Sequence, residues 1–279
     1  MNQSNSLQFE NDTRGVATLT MTRVEKHNAF DDVMIEELNQ TFERVNRDSA
    51  IRVLVLRAAG RSFSAGADLN WMRRMANYDH QQNRSDAAQL AAMMQSLNQL
   101  KQPTVAIVEG ACYGGGLGLV AACDIAVAND NAVFCLSEVR LGLIPAVISP
   151  YVIAAIGERQ ARRYFLSAEK FDAREAHHIG LVHSWVSNED LAVRVEQLIE
   201  DLLLGAPDAQ AAAKNLIRRV SQQANDAETI AETVEAIAAI RAGAEAKAGL
   251  SAFLEKRIAD WTKADRTKVD RKKLIEKGR

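Results

Sequence analysis

Three consecutive glycines, Gly114-Gly115-Gly116, follow an apolar run from Thr104 to Val108 and open a small apolar helix that ends near Ala122. A backbone without Cβ atoms lets its N–H groups come close to a ligand. At a helix N-terminus those groups are unpaired and the positive end of the dipole adds to them, so the position favours a developing negative charge. Glu109 and Glu138 each follow an apolar run. Either could place an acid/base group beside such a site, and the residue types leave that choice open. A second stretch of small residues, Ser64-Ala65-Gly66-Ala67-Asp68-Leu69, permits another close backbone approach, with Asp68 able to cap the turn that follows. The chemistry implied is stabilisation of an anion with one proton-transfer group beside it.

The elements that must position these residues are legible from periodicity. Leu7 to Glu10 and Val16 to Thr22 alternate around a turn and read as a hairpin. A helix is expected from Asp31, a good N-cap, with Met34, Leu38, Phe42 and Val45 on one face. Strands are expected at Arg52–Leu56, Thr104–Val108, Asp124–Ala128 and Leu181–Val186, and a long helix at Gln81–Lys101. Shorter helices fit Ser149–Ile156, Glu158–Leu166 and Asp172–Ile179. Four more follow, at Leu191–Leu203, Ala209–Val220, Ala227–Arg241 and Gly249–Ile258, before a basic tail expected to be loosely ordered. The plan is an α/β body over residues 1–200 and a helical region over 201–279.

Composition narrows the class. The chain has 279 residues, 47% hydrophobic and 25% charged, with net charge −2 and no single-sign block before its end. Nothing in this balance suggests a nucleic-acid partner. No apolar run reaches the roughly 18 residues a membrane span needs. The N-terminal stretch lacks the pattern of a signal peptide, and a cytoplasmic enzyme is the default expectation. Cys112, Cys123 and Cys135 lie in or beside apolar runs and read as buried free thiols. His177 and His178 are adjacent and make a poor metal pair, and His27, His80 and His183 have no ligand-spaced partners. Gly116-Leu117-Gly118 with Ala121 matches the dinucleotide-binding pattern, but the match does not turn directly off the strand and its helix is too short.

In this order and spacing, Ser64 to Leu69, Gly114-Gly115-Gly116, Cys123-Asp124-Ile125 and Ser137-Glu138-Val139 with Leu143-Ile144-Pro145 resemble the crotonase, or enoyl-CoA hydratase/isomerase, superfamily. The likeness runs from about Leu7 to Trp261 and includes a C-terminal signature, Gly249 to Arg257. It implies a spiral of β-β-α units, C-terminal helices that form trimers or paired trimers, and an acyl-CoA thioester substrate with no metal and no separate cofactor. By motif position the thioester oxygen would lie between the N–H groups of Ala67 and Gly115, and Glu138 would be the acid/base. Lys26, Ala29, Ala65, Asp68, Leu69, Gly114 and Gly116 match the CoA and thioester site. Phe253 and Lys256 match residues near the CoA of a neighbouring subunit.

One position departs from the pattern. Hydratases of the family usually carry a first glutamate two residues after the glycine triplet, where this chain has Gly118. The resemblance therefore admits a hydratase relying on Glu138, an isomerase using one carboxylate, or an acyl-CoA-binding protein. The segments Ala67 to Met75 and Ser137 to Tyr151 are similar to a bacterial branch assigned to 3-methylglutaconyl-CoA hydration in leucine breakdown, and that branch to carboxygeranoyl-CoA hydratases. Those substrates carry a remote carboxylate that a guanidinium suits, with Arg73, Arg74 and Arg140 at hand. Trp71, Met72 and Met75 are candidates for the acyl pocket wall.

Overall fold

The computed structural model describes residues 6–221 and 223–262. β1 (Leu7–Asn11) and β2 (Val16–Met21) form the expected antiparallel hairpin. Asp31 accepts a hydrogen bond from Met34 N–H at 3.0 Å and starts α1 (Asp32–Arg47). The expected stripe of Met34, Leu38, Phe42 and Val45 is buried. β3 (Val53–Ala58), β4 (Ser62–Ser64), α2 (Leu69–Met75) and α3 (His80–Asn98) follow. Next come β5 (Thr104–Val108), β6 (Ala111–Tyr113), α4 (Gly115–Ala122), β7 (Ile125–Asn129) and β8 (Val133–Cys135). The chain continues through α5 (Ser149–Ser167), β9 (Phe171–Asp172), α6 (Ala173–His178), β10 (Ser184–Val186) and α7 (Leu191–Leu204), then α8 (Pro207–Val220), α9 (Ala227–Ala242) and α10 (Ala244–Leu254).

The strands divide between two sheets. One has the order β1-β2-β3-β5-β7-β10 and is parallel from β2 onward; the other has the order β4-β6-β8-β9, with β4, β6 and β8 parallel. Successive pairs β3/β4, β5/β6 and β7/β8 each give one strand to each sheet before a helix returns the chain. This is the repeating β-β-α spiral of an α/β fold. β5 is buried along its whole length, as a parallel strand covered on both faces should be.

The strands of the smaller sheet were not anticipated. They are two or three residues long, too short for alternation to register. The two helices expected around residue 157 are present as α5, broken at Gly157 (φ 72°, ψ 160°). α10 begins at Ala244, ahead of the expected Gly249. The basic tail lies outside the described residues.

Two compact units are distinguished: residues 6–11 with 15–202, and residues 12–14 with the described residues from 203 onward. In the second, α10 ends with Lys256 in a left-handed conformation (φ 53°). Arg257 N–H donates to Ala252 carbonyl at 2.9 Å and Lys256 N–H to Phe253 carbonyl at 3.1 Å, the Schellman arrangement that satisfies a helix's last carbonyls. Ile230, Val234 and Ile237 of α9 are exposed at helical spacing, and the adjacent Phe253 and Leu254 of α10 are exposed as well.

Candidate active site

Three neighbouring parallel strands of the smaller sheet end at one edge, and each delivers one group just beyond its last residue. Ala67 follows β4, Gly115 follows β6, and Glu138 follows β8. The loop after β4 is strapped to residues 27–30. Ala65 N–H donates to His27 carbonyl at 2.9 Å, Phe30 N–H to Gly66 carbonyl at 2.7 Å, and Asp68 N–H to Phe30 carbonyl at 2.7 Å. In such a parallel bridge the peptide groups on either side of Ala67 are consumed, and its own N–H points away from the strap. That N–H has no acceptor among the described residues.

Gly115 begins α4, so its N–H is one of the orphan donors of a helix start, and it too has no acceptor among the described residues. Gly114 turns the chain into that helix at φ 52°, ψ −118°, a conformation for glycine. The same residue lets the two loops meet, since a Cβ on it would lie 3.9 Å from Gly66 Cα and 3.2 Å from Glu138 Oε1. The Glu138 carboxyl therefore lies directly against the turn that presents the Gly115 N–H. Gly116 is a packing residue, with Ser64 Cβ 2.7 Å from where a Cβ would stand.

Glu138 opens a short 3-10 turn, Glu138–Leu141, whose first carbonyl accepts from Leu143 N–H at 3.1 Å. Its Oε2 is buried without a hydrogen-bond partner among the described residues. Burial pushes its carboxyl above the usual carboxylate range, opposed only by a bond to its own N–H. Glu109, the rival in the sequence, is paired at 3.5 Å with Arg57. Of the two carboxylates, Glu138 is the one that lies against Gly114 and the start of α4.

Behind the donors lies an ionic cluster. Lys26 Nζ is 3.0 Å from Asp68, and the buried Arg23 reaches Asp31 at 2.8 Å, Asp68 at 3.6 Å and Ala29 carbonyl at 3.1 Å. Asp68 also caps α2, accepting from Asn70 N–H at 2.8 Å and Trp71 N–H at 3.2 Å. Burial raises its pKa, but Lys26 and the two amides outweigh that and hold it below the ordinary value. Asp68→Asn keeps the cap and removes the charge, and should cost about 1 kcal/mol; Asp68→Ala should cost about 2. A depressed carboxylate stabilises the fold above its ordinary pKa and loses that contribution as pH falls, so the Asp68→Asn deficit in urea melts should shrink on acidification.

The remaining candidates fall in three groups. Ala65 and Leu69 are exposed beside Ala67, and Ala29 is buried in the strap. Trp71 is a core residue whose indole N–H donates to Asp86 at 2.9 Å, with Met75 packed against the same core and Met72 half-buried. Arg73 is tied to Asn70 at 2.6 Å and Arg74 to Asp32 at 2.5 Å, while the exposed Arg140 guanidinium has no bonded partner among the described residues. Phe253 and Lys256 belong to the second unit.

Gly118 is the residue whose surroundings change its meaning. A Cβ there would lie 2.2 Å from Ile148 Cγ2, 2.9 Å from Ile148 Cβ and 3.0 Å from Met94 Cε. Both neighbours are buried. The space of a first glutamate is thus filled by hydrocarbon, and no ionisable group replaces it at this contact. Ile148, Met94, Arg23 and Phe30 were all missed from the sequence. They act through contacts between distant segments, which leave no local pattern.

Comparison with known proteins agrees with this fold. The family model for enoyl-CoA hydratase/isomerase matches residues 11–264. The chain superposes on the crystal structure of an enoyl-CoA hydratase from Shewanella pealeana with a TM-score of 0.90, at 46% identity over 93% of this chain and 97% of that one. It is 34% identical over 249 residues to 2,3-dehydroadipyl-CoA hydratase of Escherichia coli, covering 88% of this chain and 94% of the relative. It is also 31% identical over 230 residues to a 4-chlorobenzoyl coenzyme A dehalogenase of an Arthrobacter species, covering 82% and 83%. The spiral fold, the paired peptide donors and these matches together place the chain in the enoyl-CoA hydratase/isomerase family.

Proposed function

We propose that this chain hydrates an α,β-unsaturated acyl-CoA thioester, with 3-methylglutaconyl-CoA as its substrate, using Glu138 as the single acid/base group. The observation that carries this is the buried Glu138 carboxyl oxygen lying beside two peptide N–H groups, all three without a hydrogen-bond partner among the described residues. The Ala67 and Gly115 N–H groups bind the thioester oxygen. The Glu138 carboxylate removes a proton from water as the water oxygen bonds to the β-carbon and the double-bond electrons move to the thioester oxygen. The resulting enolate collapses as the Glu138 carboxyl returns a proton to the α-carbon. Water is consumed, the carboxylate is regenerated, and the two donors stabilise the charged intermediate. A carboxyl with a raised pKa suits both halves of this task. The peptide dipoles supply the positive charge, so the chemistry calls for no metal and no cofactor beyond the CoA of the substrate.

Arg140 supports a substrate with a remote carboxylate, being a guanidinium without a bonded partner among the described residues, in the turn that Glu138 opens. The Escherichia coli relative is named for a CoA ester of a dicarboxylic acid, in keeping with that class. Self-association as a trimer or paired trimers is part of the proposal, supported by the exposed apolar stripe of α9. A second reading, isomerisation by one carboxylate, is favoured by one observation: the apolar fill of Ile148 and Met94 beside Gly118.

The test is to mix purified protein separately with crotonyl-CoA, 3-methylglutaconyl-CoA and a β,γ-unsaturated acyl-CoA, following conjugated-thioester absorbance and product mass. Hydration is expected to lower the absorbance and add the mass of water, faster for the carboxylate-bearing ester. A rise in absorbance from the β,γ-ester with no mass change, without hydration of the others, would establish the isomerase instead. Thermal stabilisation by CoA esters with neither change would make the chain a binder.

A further inference from the structure

Phe30 touches both halves of the anion site. Its backbone is hydrogen-bonded on both sides of Ala67, to Gly66 carbonyl at 2.7 Å and from Asp68 N–H at 2.7 Å. Its ring lies against the other donor residue, for a Cβ built on Gly115 would stand 3.1 Å from both Cδ2 and Cε2. The side chain is 2% exposed, so it has little freedom to move away. The two donors come from loops after different strands, β4 and β6. A residue that holds one loop by its main chain and abuts the other with its ring fixes the gap between them.

The geometry points to Phe30 as a positioning residue that sets the separation and aim of the Ala67 and Gly115 N–H groups. It touches neither the reacting atoms nor a titrating group. The inference rests on the oxyanion role proposed above. Two donors bind one oxygen well only when both are within hydrogen-bond reach of it, and misplacement by about 1 Å can cost on the order of 10²-fold in rate. Removing the ring relaxes Gly115 toward the vacated space while the strap still holds Ala67.

The experiment compares Phe30→Ala with Phe42→Ala, a control at another fully buried phenylalanine, in α1. Both lose a buried ring and should lower the melting temperature. Only Phe30→Ala is expected to lower kcat, by roughly 10- to 100-fold, with KM within about threefold of wild type. Bound dimethylaminocinnamoyl-CoA supplies a spectroscopic reading, because polarising its thioester carbonyl moves its absorbance to the red. The shift should be present in wild type and Phe42→Ala and largely lost in Phe30→Ala. Should Phe30→Ala fail to fold, Phe30→Val and Phe42→Val make the same comparison. Wild-type kcat and a full shift in the Phe30 variant overturn the inference alone, as does an equal loss in the Phe42 control. A wild-type complex with no red shift overturns the oxyanion role and the inference with it.

Discussion

Glu138→Gln should lower turnover by about 10³-fold or more while binding of acyl-CoA esters survives, because the amide neither takes water's proton nor returns one to carbon. The substitution is nearly isosteric: among the described residues Oε2 has no hydrogen-bond partner, and the carboxyl's bond to its own N–H is one that an amide oxygen can also accept. The same carboxyl sets two pH dependences. In the proposed mechanism its ionised form is the base, and burial raises its pKa, so kcat/KM should fall on acidification at a higher pH than an ordinary carboxylate would give. Stability moves the other way. The folded chain binds this proton more tightly than the unfolded chain does. The wild type therefore loses relative stability as pH rises from the ordinary carboxylate value through the raised one, and does not regain it above. Glu138→Gln escapes that loss. It should melt higher than wild type at neutral pH, with the gap closing in acid. Near-normal turnover in this variant would end the single-carboxylate scheme.

Gly118→Glu should be the most disruptive single change in the core rather than a gain of function. The resemblance to hydratases suggests that a glutamate here would supply a missing group. The structure predicts a collision, because a Cβ at this position meets Ile148 Cγ2 at 2.2 Å and Ile148 Cβ at 2.9 Å. The second of these is a branch point near the backbone and no rotamer removes it, whereas Met94 Cε ends a flexible chain and can yield. Overpacking costs about 1–3 kcal/mol and an unpaired carboxylate in an apolar contact costs more, so a total of roughly 4 kcal/mol or greater is expected. Ile148 is the N-cap of α5, a position where glycine is well tolerated. Ile148→Gly removes both contacts, so Gly118→Glu combined with Ile148→Gly should be more stable than the sum of the single changes predicts. Crotonyl-CoA hydration by the double variant should then exceed that of Gly118→Glu alone by at least about tenfold. An unperturbed melting temperature for Gly118→Glu alone would show that Ile148 does not close this space.

These cases mark what the sequence could carry. Elements with enough residues for a period were legible: the α1 stripe of Met34, Leu38, Phe42 and Val45, its Asp31 cap, and the buried run of β5. The glycine triplet and Glu138 stood out as candidates, because their types are unusual next to apolar runs. The choice between Glu109 and Glu138 was not, since it depends on which carboxylate finds Arg57 and which lies against Gly114. The smaller sheet was missed for a local reason, its strands being two or three residues long. The meaning of Gly118 was missed for a non-local one, because Ile148 is thirty positions away and nothing in its neighbours announces the contact. Asp68 shows the intermediate case. Its capping role was local and visible, while its pairing with Lys26 and Arg23 came only with the strap.

The missed sheet gives the site its unit of length. Hydrogen-bonded neighbours in a sheet stand about 4.8 Å apart. Two N–H groups sharing one oxygen, each about 2.9 Å from it, can be separated by at most about 5.8 Å. Adjacent rungs therefore suit a pair of donors, and β4 and β6 are adjacent rungs. β8 is the next, and it brings Glu138 one spacing further along the same edge. In the proposed mechanism the sheet acts as a ruler, with polarisation assigned to two marks and proton transfer to the third. On such a ruler the third mark can be rewritten without moving the first two. That separation gives one scaffold room for several reactions on a common thioester handle.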